Sequence, residues 1–187
     1  RLDFVVAMAL ITKGTSLMYM GRGREGVALL NGAHLDASAH GLHVPALRAG
    51  VNLAASLADF DPRLSLQWTK NGMALARRLG LTGFDTYHAS NTGAAARLGE
   101  WAWMHDAVAE LLESHPDAST GRWIRDALLW PEVWRGGDTG GRPGATVREA
   151  EAAGDPQALV NAFGWSLDEA FAREDFAAAD ASGRRLL

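Results

Sequence analysis

Cysteine is absent from the 187 residues of this chain. Disulfides and thiolate metal sites are therefore excluded, and an unexported, cytoplasmic protein is the simplest expectation. A large charge excess is also absent, because the formal net charge is only −4, and nucleic acid binding normally requires a clustered basic face. The longest apolar run, Phe4 to Ile11, is far too short to span a bilayer. We therefore expect no direct nucleic acid partner and no membrane partner.

Two glycine-rich stretches resemble phosphate-binding motifs without meeting their requirements. Gly21, Gly23 and Gly26 have the spacing of a dinucleotide-binding turn, which needs a strand before it and an acidic residue about 20 positions later. The residues before Gly21 have a helical pattern instead, so we interpret these glycines as part of a turn between helices. Residues 136–144 hold five glycines but no Gly-Lys-Ser/Thr, so we expect a long flexible connection there rather than a phosphate loop.

Histidines form the only candidate cluster for a metal. His34, His40 and His43 lie near Asp36 in the sequence, but a metal needs ligands that converge on one face. His34 and His40 are six positions apart and so lie on different faces of a helix. We expect His40 to complement a helix C-terminus instead. No His-Glu-x-x-His motif is present. We predict no catalytic residue, no metal and no cofactor, and hence no enzyme.

What the chain does contain is a succession of amphipathic helical patterns, with no segment typical of a strand. At Asp61-Pro62, an N-capping aspartate precedes a proline suited to the first helical position. Pro131 is expected to start a new turn or kink a helix. The predicted helices cover residues 2–20, 25–40, 44–58, 62–79, 84–98, 100–114, about 119–129, 145–153, 156–173 and a last helix from Phe176. The prediction is an all-α chain of about ten helices in five antiparallel pairs.

The helices carry a loose internal repeat. Gly41-Leu42 returns as Gly80-Leu81, and Asn52 returns as Asn91, each 39 positions later. A fixed period between about 20 and 50 residues is typical of a solenoid, whose stacked units form a surface for binding rather than a reaction centre. We expect one continuous array over residues 1–187, as a piece of a longer protein. Its predicted units are residues 2–41, 42–80, 81–116, 117–154 and 155–187.

The repeat resembles the tetratricopeptide family, whose unit places small residues where its two helices cross and an aromatic residue after the turn. The matching small residues are Gly14, Ala54 and Gly93 on first helices, and Gly26 with Ala33 and Ser65 with Gly72 on second helices. Gly99-Glu100-Trp101 and Glu174-Asp175-Phe176 resemble the turn. The resemblance covers residues 5–114 well and 156–187 weakly, and the unit is longer than that family's and lacks its terminal proline. It implies a right-handed α-α superhelix without catalytic activity.

Elongated repeats of this composition are similar to the helical arrays of large bacterial signalling proteins. The examples are LuxR-type regulators with a nucleoside-triphosphatase module and multidomain nucleotide cyclases. The resemblance therefore implies a protein interaction or scaffold module within a bacterial signal-transduction or transcription-regulatory protein. Its partner would be a protein, a peptide or another domain of the same chain.

In tetratricopeptide arrays, the first helix of each unit lines the concave inner surface. On that basis the candidate binding residues are Arg48, Asn52, Tyr87, Asn91 and Arg97. An asparagine can donate to and accept from a peptide backbone without burying a charge, and an arginine can bind a carboxylate. The alternative is that these asparagine side chains only bridge adjacent helices.

Tryptophan is unusually frequent, with seven residues. Trp123, Trp130 and Trp134 recur at i, i+7 and i+11, which places them on one stripe of an unbroken helix. Core packing between repeats is one interpretation. The other is an aromatic pocket near residues 123–144, where Pro131 and the glycines could open a cleft. In that case the chain would be a small-molecule sensor.

Overall fold

The computed structural model describes residues 2–81, 83–84, 91–114, 125, 128–136, 138–154 and 156–186. These residues form ten helices, and no described residue lies in a β-strand. The predicted all-α class is therefore confirmed. The helices are α1 (Leu2–Tyr19), α2 (Gly23–Ala39), α3 (His43–Leu57), α4 (Pro62–Arg78), α5 (Gly93–Arg97), α6 (Trp101–Ser114), α7 (Leu129–Trp134), α8 (Arg142–Ala153), α9 (Pro156–Ala172) and α10 (Phe176–Arg184).

The chain divides into two compact units, Arg1–Ala127 and Leu128–Leu187. The helix predicted over 84–98 is described mainly at its end, as α5, and most of the helix predicted over 119–129 lies outside the described residues. One boundary was wrong: α8 begins at Arg142 rather than at 145, with Pro143 in its first turn. The glycine-rich connection is therefore shorter than predicted, because a proline in the first turn needs no N–H partner.

A turn with a left-handed glycine ends α2 and α4 in the first unit. Gly41 has φ +67°, and the following Leu42 donates its backbone N–H to the Ala37 carbonyl at 2.8 Å. Gly80 repeats this conformation with φ +68° ahead of Leu81. This arrangement satisfies carbonyls that a helix end would otherwise leave unpaired, and it suits glycine because a Cβ disfavours positive φ. The predicted glycine-ended helices are confirmed at both positions.

Aspartates cap two helices at their N-termini. The Asp61 carboxylate accepts a hydrogen bond from the Leu64 backbone N–H at 3.0 Å, and Pro62 follows it at the start of α4. Asp175 does the same for α10, accepting from the Ala178 N–H at 3.1 Å. Each cap supplies a partner for one of the donors that a helix start leaves free. The capping role predicted for Asp61 is confirmed.

In the first unit, consecutive helices pack against one another from α1 to α6 wherever they are described, and α1 also packs directly against α3. The core between α1, α2 and α3 is made of fully or almost fully buried aliphatic side chains. These are Ile11, Leu30, Ala33, Ala49, Leu53 and Leu57, with a second cluster of Ala7, Ala37 and Ala46. In the third pair, Met104 and Leu111 of α6 are completely buried.

Two glycines lie where α1 and α2 cross. A Cβ at Gly26 would lie 2.8 Å from the Gly14 carbonyl oxygen and 2.6 Å from the Met18 sulfur. A Cβ at Gly14 would lie 2.8 Å from Cγ of Leu30. Distances under 3 Å are far inside ordinary carbon contact distances, so the two backbones are close only because both side chains are hydrogen. Any larger residue at Gly26 has to push the helices apart.

The second unit is built around α9. This helix packs against α7, α8 and α10. Its core includes Leu129, Val133, Ala150, Ala158, Ala162, Phe163, Ala170 and Ala179. Pro131 is the third residue of the six-residue helix α7, in its first turn.

Among the described residues, α1 is the one helix long enough and apolar enough to cross a membrane. The core helix of a folded domain, or a signal sequence near an N-terminus, can have the same length and composition. In this fold α1 buries Ala7, Ile11, Gly14 and Leu17.

The helix crossing yields a prediction for two glycines of the same helix. Gly26→Ala should lower the free energy of unfolding by about 1–2 kcal/mol, because the overpacking cost exceeds the gain in helix propensity. Gly32→Ala is the matched control, since a Cβ at Gly32 would meet no atom within 4 Å. It should raise stability by up to about 1 kcal/mol. Urea unfolding measures the free energy of unfolding of both variants. An equal change in the two variants would contradict the close approach of α1 and α2 at Gly26.

Candidate functional site

The predicted binding residues Arg48 and Asn52 lie one turn apart on α3. Arg48 is exposed and has no hydrogen-bond or ion-pair partner among the described residues. Asn52 is half-buried, and its Nδ2 donates to Oγ1 of Thr15 on α1 at 2.8 Å. Its Oδ1 has no bond within the described part of the chain. The two side chains therefore differ: one cation is free, and one amide is already partly engaged.

Asn91 and Arg97, the next predicted binding residues, also form hydrogen bonds to the preceding part of the chain. Asn91 donates from Nδ2 to the Val51 carbonyl at 3.2 Å. Arg97 donates to the Ala58 carbonyl at 3.4 Å and forms an ion pair with Asp59 at 2.5 Å. Tyr87 lies outside the described residues.

These bonds link successive repeat units. They join residues that are 37, 40 and 39 positions apart, close to the repeat length itself. The sequence left open whether Asn52 and Asn91 bind a partner or bridge adjacent helices, and both Nδ2 groups make the bridge. The predicted binding role rests, among the described residues, on Arg48 and on the remaining Oδ1 of Asn52.

An apolar groove lies beside this part of α3, and the sequence reasoning did not anticipate it. Its volume is about 360 Å³. The lining residues are Phe4, Leu42, His43, Val44, Pro45, Leu79 and Leu81. Leu42 and Leu81 are the residues of the Gly-Leu repeat, so the repeat itself was the available signal. Val44 lies four positions before Arg48, so this residue of the groove and Arg48 are one helical turn apart on α3.

Two of the three histidines have structural contacts, one between helices and one at a helix end. The Nδ1 of His34 is 2.9 Å from the Ala46 carbonyl, and its ring meets Trp68 edge-on at 4.7 Å. His40 follows α2 and bonds the Asp36 carbonyl at 2.9 Å, as expected for a residue at a helix C-terminus. That hydrogen bond, followed by the charge of Asp36, raises the pKa of His40. Among the described residues, no three metal-ligating side chains converge.

Of the predicted aromatic stripe, only Trp134 is described with its side chain; Trp123 and the Trp130 side chain lie outside the described part. Trp134 belongs to the second unit and is 51% exposed. Its indole N–H donates to the carboxylate of Asp168 on α9. Burial raises the pKa of Asp168, and the bond from Trp134 offsets part of that shift. The aromatic pocket stays a prediction.

Comparisons with known proteins add no assignment to this geometry. No protein-family model matches the chain, and neither a curated protein nor a solved structure matches it at a significant level. The resemblance to tetratricopeptide repeats therefore stays a prediction.

The bridge between α3 and α1 can be measured by a double-mutant cycle. Asn52→Ala and Thr15→Val should each destabilise the chain by about 1 kcal/mol, because a single change leaves the other polar group half-buried without its partner. The double variant should be less destabilised than the sum of the two, which gives a coupling of about 0.5–1 kcal/mol. Asn71→Ala, at an exposed asparagine of α4, is the control and should change stability little. Strict additivity would contradict the bridge.

The half-buried carboxyl of Asp168 predicts a pH dependence of stability. Its folded pKa is raised, so the folded state binds more protons than the unfolded state between about pH 4 and the folded pKa. Ionisation therefore costs stability as pH rises through that window. Asp168→Asn should match the wild type near pH 3 and be more stable at neutral pH, by no more than about 1 kcal/mol because solvent screens a half-exposed charge.

The control is Asp180→Asn, which removes an exposed carboxylate that pairs with Arg184 at 2.8 Å. This loss should change stability by only a few tenths of a kcal/mol, and in the destabilising direction at neutral pH. Urea midpoints at several pH values check both variants. A stabilisation by Asp168→Asn that is as large at pH 3 as at pH 7 would count against the raised pKa.

Proposed function

We propose that the first unit is a non-catalytic protein interaction module that binds a peptide or a partner helix along the exposed side of α3. The observation that carries the proposal is the free guanidinium of Arg48 one turn from the apolar groove at Val44. An apolar cavity next to a single unpaired cation is suited to an apolar side chain followed by a carboxylate.

The dimensions are consistent with a peptide of that kind. A volume of about 360 Å³ accommodates one or two large side chains, near the lower end of the range for binding pockets. Val44 and Arg48 are separated by about 6 Å along the helix axis, which is the spacing between neighbouring side chains of an extended or helical ligand. Asn52 lies one further turn along, and its Oδ1 can accept a backbone N–H from the same ligand.

The packing of the helices supports a concave surface formed by the first helix of each pair. Within the first unit, α1 packs against α3, while α2 and α4 make no comparable contact. Helices that approach closely on one side and diverge on the other produce a curved array with the closer helices inside. We propose on this basis the right-handed, tetratricopeptide-like superhelix that the sequence resemblance implies, with α1 and α3 on the inner side.

The wider role follows only from the resemblance. We propose that the module belongs to a bacterial, cytoplasmic signalling or transcription-regulatory protein, in which the ligand is a separate protein or another domain of the same chain. The aromatic pocket for a small molecule is the alternative function. None of the described contacts favours it.

The proposed peptide site is tested by selection and substitution. A phage-displayed peptide library is selected on the immobilised chain, and the affinities of enriched peptides are measured by fluorescence polarisation. Enriched sequences should combine an apolar residue with a nearby acidic residue. Arg48→Glu should weaken them at least about tenfold, because it replaces a charge-assisted hydrogen bond with like-charge repulsion.

Arg63→Glu serves as the matched control. Arg63 is also exposed and without a partner in the described ranges, but it lies in the first turn of α4, away from the groove. It should leave peptide affinity unchanged. Peptides that bind the Arg48→Glu and Arg63→Glu variants equally well would place the interaction elsewhere on the chain.

A further inference from the structure

His43 is the one member of the histidine cluster that the packing of the first unit does not use. His34 bonds the Ala46 carbonyl, and His40 bonds the Asp36 carbonyl. His43, the first residue of α3, is exposed, and its imidazole has no hydrogen bond, ion pair or ring contact in the described part of the chain. Both of its ring nitrogens are therefore open to a ligand.

His43 also lines the apolar groove. The other six lining residues have no polar side-chain atom. They are Phe4, Leu42, Val44, Pro45, Leu79 and Leu81. In a mainly apolar binding site, the few polar groups present fix the orientation and the specificity of the ligand. His43 is therefore the residue of this groove that can distinguish one apolar side chain from another.

The groove is suited to an aromatic side chain that has a polar atom at its edge. Its volume of about 360 Å³ accommodates a large ring. Phe4 adds an aromatic ring to the lining, and a second ring packs favourably against it when offset or edge-on. An aliphatic side chain would fill the same space without giving the imidazole of His43 a partner.

Tyrosine matches an imidazole better than tryptophan does. A neutral imidazole has one nitrogen that donates and one that accepts, whereas the charged ring only donates. A phenolic hydroxyl both donates and accepts, so it can bond His43 in either charge state. The indole N–H only donates, so it can bond only the neutral ring.

We propose that the side chain bound in this groove is a tyrosine of the peptide, and that His43 selects it through a hydrogen bond to the phenolic hydroxyl. The tyrosine anchor rests on the proposed peptide-binding function and names the residue that this function requires. His43 and Arg48 then recognise different parts of the peptide. His43 determines the identity of the anchor, and Arg48 binds a nearby carboxylate.

The expected preference for tyrosine is modest. His43 is exposed, so its imidazole and the phenolic hydroxyl both bond water before they meet, and only the difference contributes to affinity. A net contribution of that kind corresponds to a change in Kd of about threefold to tenfold. Phenylalanine has the same ring without the hydroxyl, so it should bind more weakly by that factor.

Substitution in both the peptide and the chain tests the hydrogen bond. Peptides are enriched from a phage-displayed library on the immobilised 187-residue chain, and tyrosine should be the prevailing apolar anchor among them. Each enriched peptide is then synthesised with tyrosine, phenylalanine or leucine at the anchor, and its Kd is measured by fluorescence polarisation. The wild-type chain should bind the tyrosine form about threefold to tenfold more tightly than the phenylalanine form.

Two variants of His43 separate the hydrogen bond from the packing of the ring. His43→Phe should abolish the difference between the tyrosine and phenylalanine forms, because it keeps a ring and removes both nitrogens. His43→Gln should retain most of the difference, because an amide also offers a donor and an acceptor. Circular dichroism of each variant verifies that the helices are intact.

His40→Phe is the matched control. His40 is also exposed but does not line the groove, so this variant should keep the preference for tyrosine. Arg48→Glu should weaken the tyrosine and phenylalanine forms by the same factor, because it acts on the carboxylate and not on the anchor. The ratio of the two Kd values thus reports on His43, and their common change reports on Arg48.

The outcomes distinguish the anchor from the peptide site as a whole. The tyrosine anchor alone is overturned if the enriched peptides carry leucine or phenylalanine and still depend on Arg48. It is also overturned if His43→Phe leaves the ratio of the tyrosine and phenylalanine forms unchanged. A ratio that depends on His43, in peptides indifferent to Arg48→Glu, would support the anchor and contradict the proposed carboxylate contact. A library that yields no binding peptide would overturn both proposals.

Discussion

The first unit depends on a constraint of the peptide backbone: each helix has to end, satisfy its last carbonyls and reverse direction within a few residues. A residue in the left-handed conformation does this at Gly41 and at Gly80. The next residue, a leucine in both cases, returns its N–H to the helix that has just ended. The same reversal recurs after 39 residues, and the helices on either side of each reversal pack against one another.

Close contacts and polar bonds join different helices of the first unit. Gly14 and Gly26 let the two helices of one pair approach until only hydrogen fits between them. Asn52 and Asn91 act between pairs, each reaching back about one repeat to the first helix of the preceding pair. The first kind of contact is set by volume, and the second by a hydrogen bond whose loss would leave a half-buried polar group unpaired.

The proposed ligand surface lies along α3 of the first unit. The side of α3 that bears Arg48 is open to a ligand, because the bonds between units use Asn52 and leave Arg48 free. A repeat of helix pairs thus leaves a lateral surface for a ligand.

The amino-acid pattern alone predicts the all-α class, the caps at Asp61 and Gly80, and the 39-residue period. Local signals such as Asp61-Pro62 and Gly80-Leu81 act within a few residues, so they can be recognised without knowing what the helix packs against. It did not determine which polar residues would remain free. Arg48, Asn52 and Arg97 were equal candidates, and the groove beside Val44 was not foreseen. These points depend on how the helices pack, because the partners of Asn52 and Arg97 lie almost 40 residues away in the sequence.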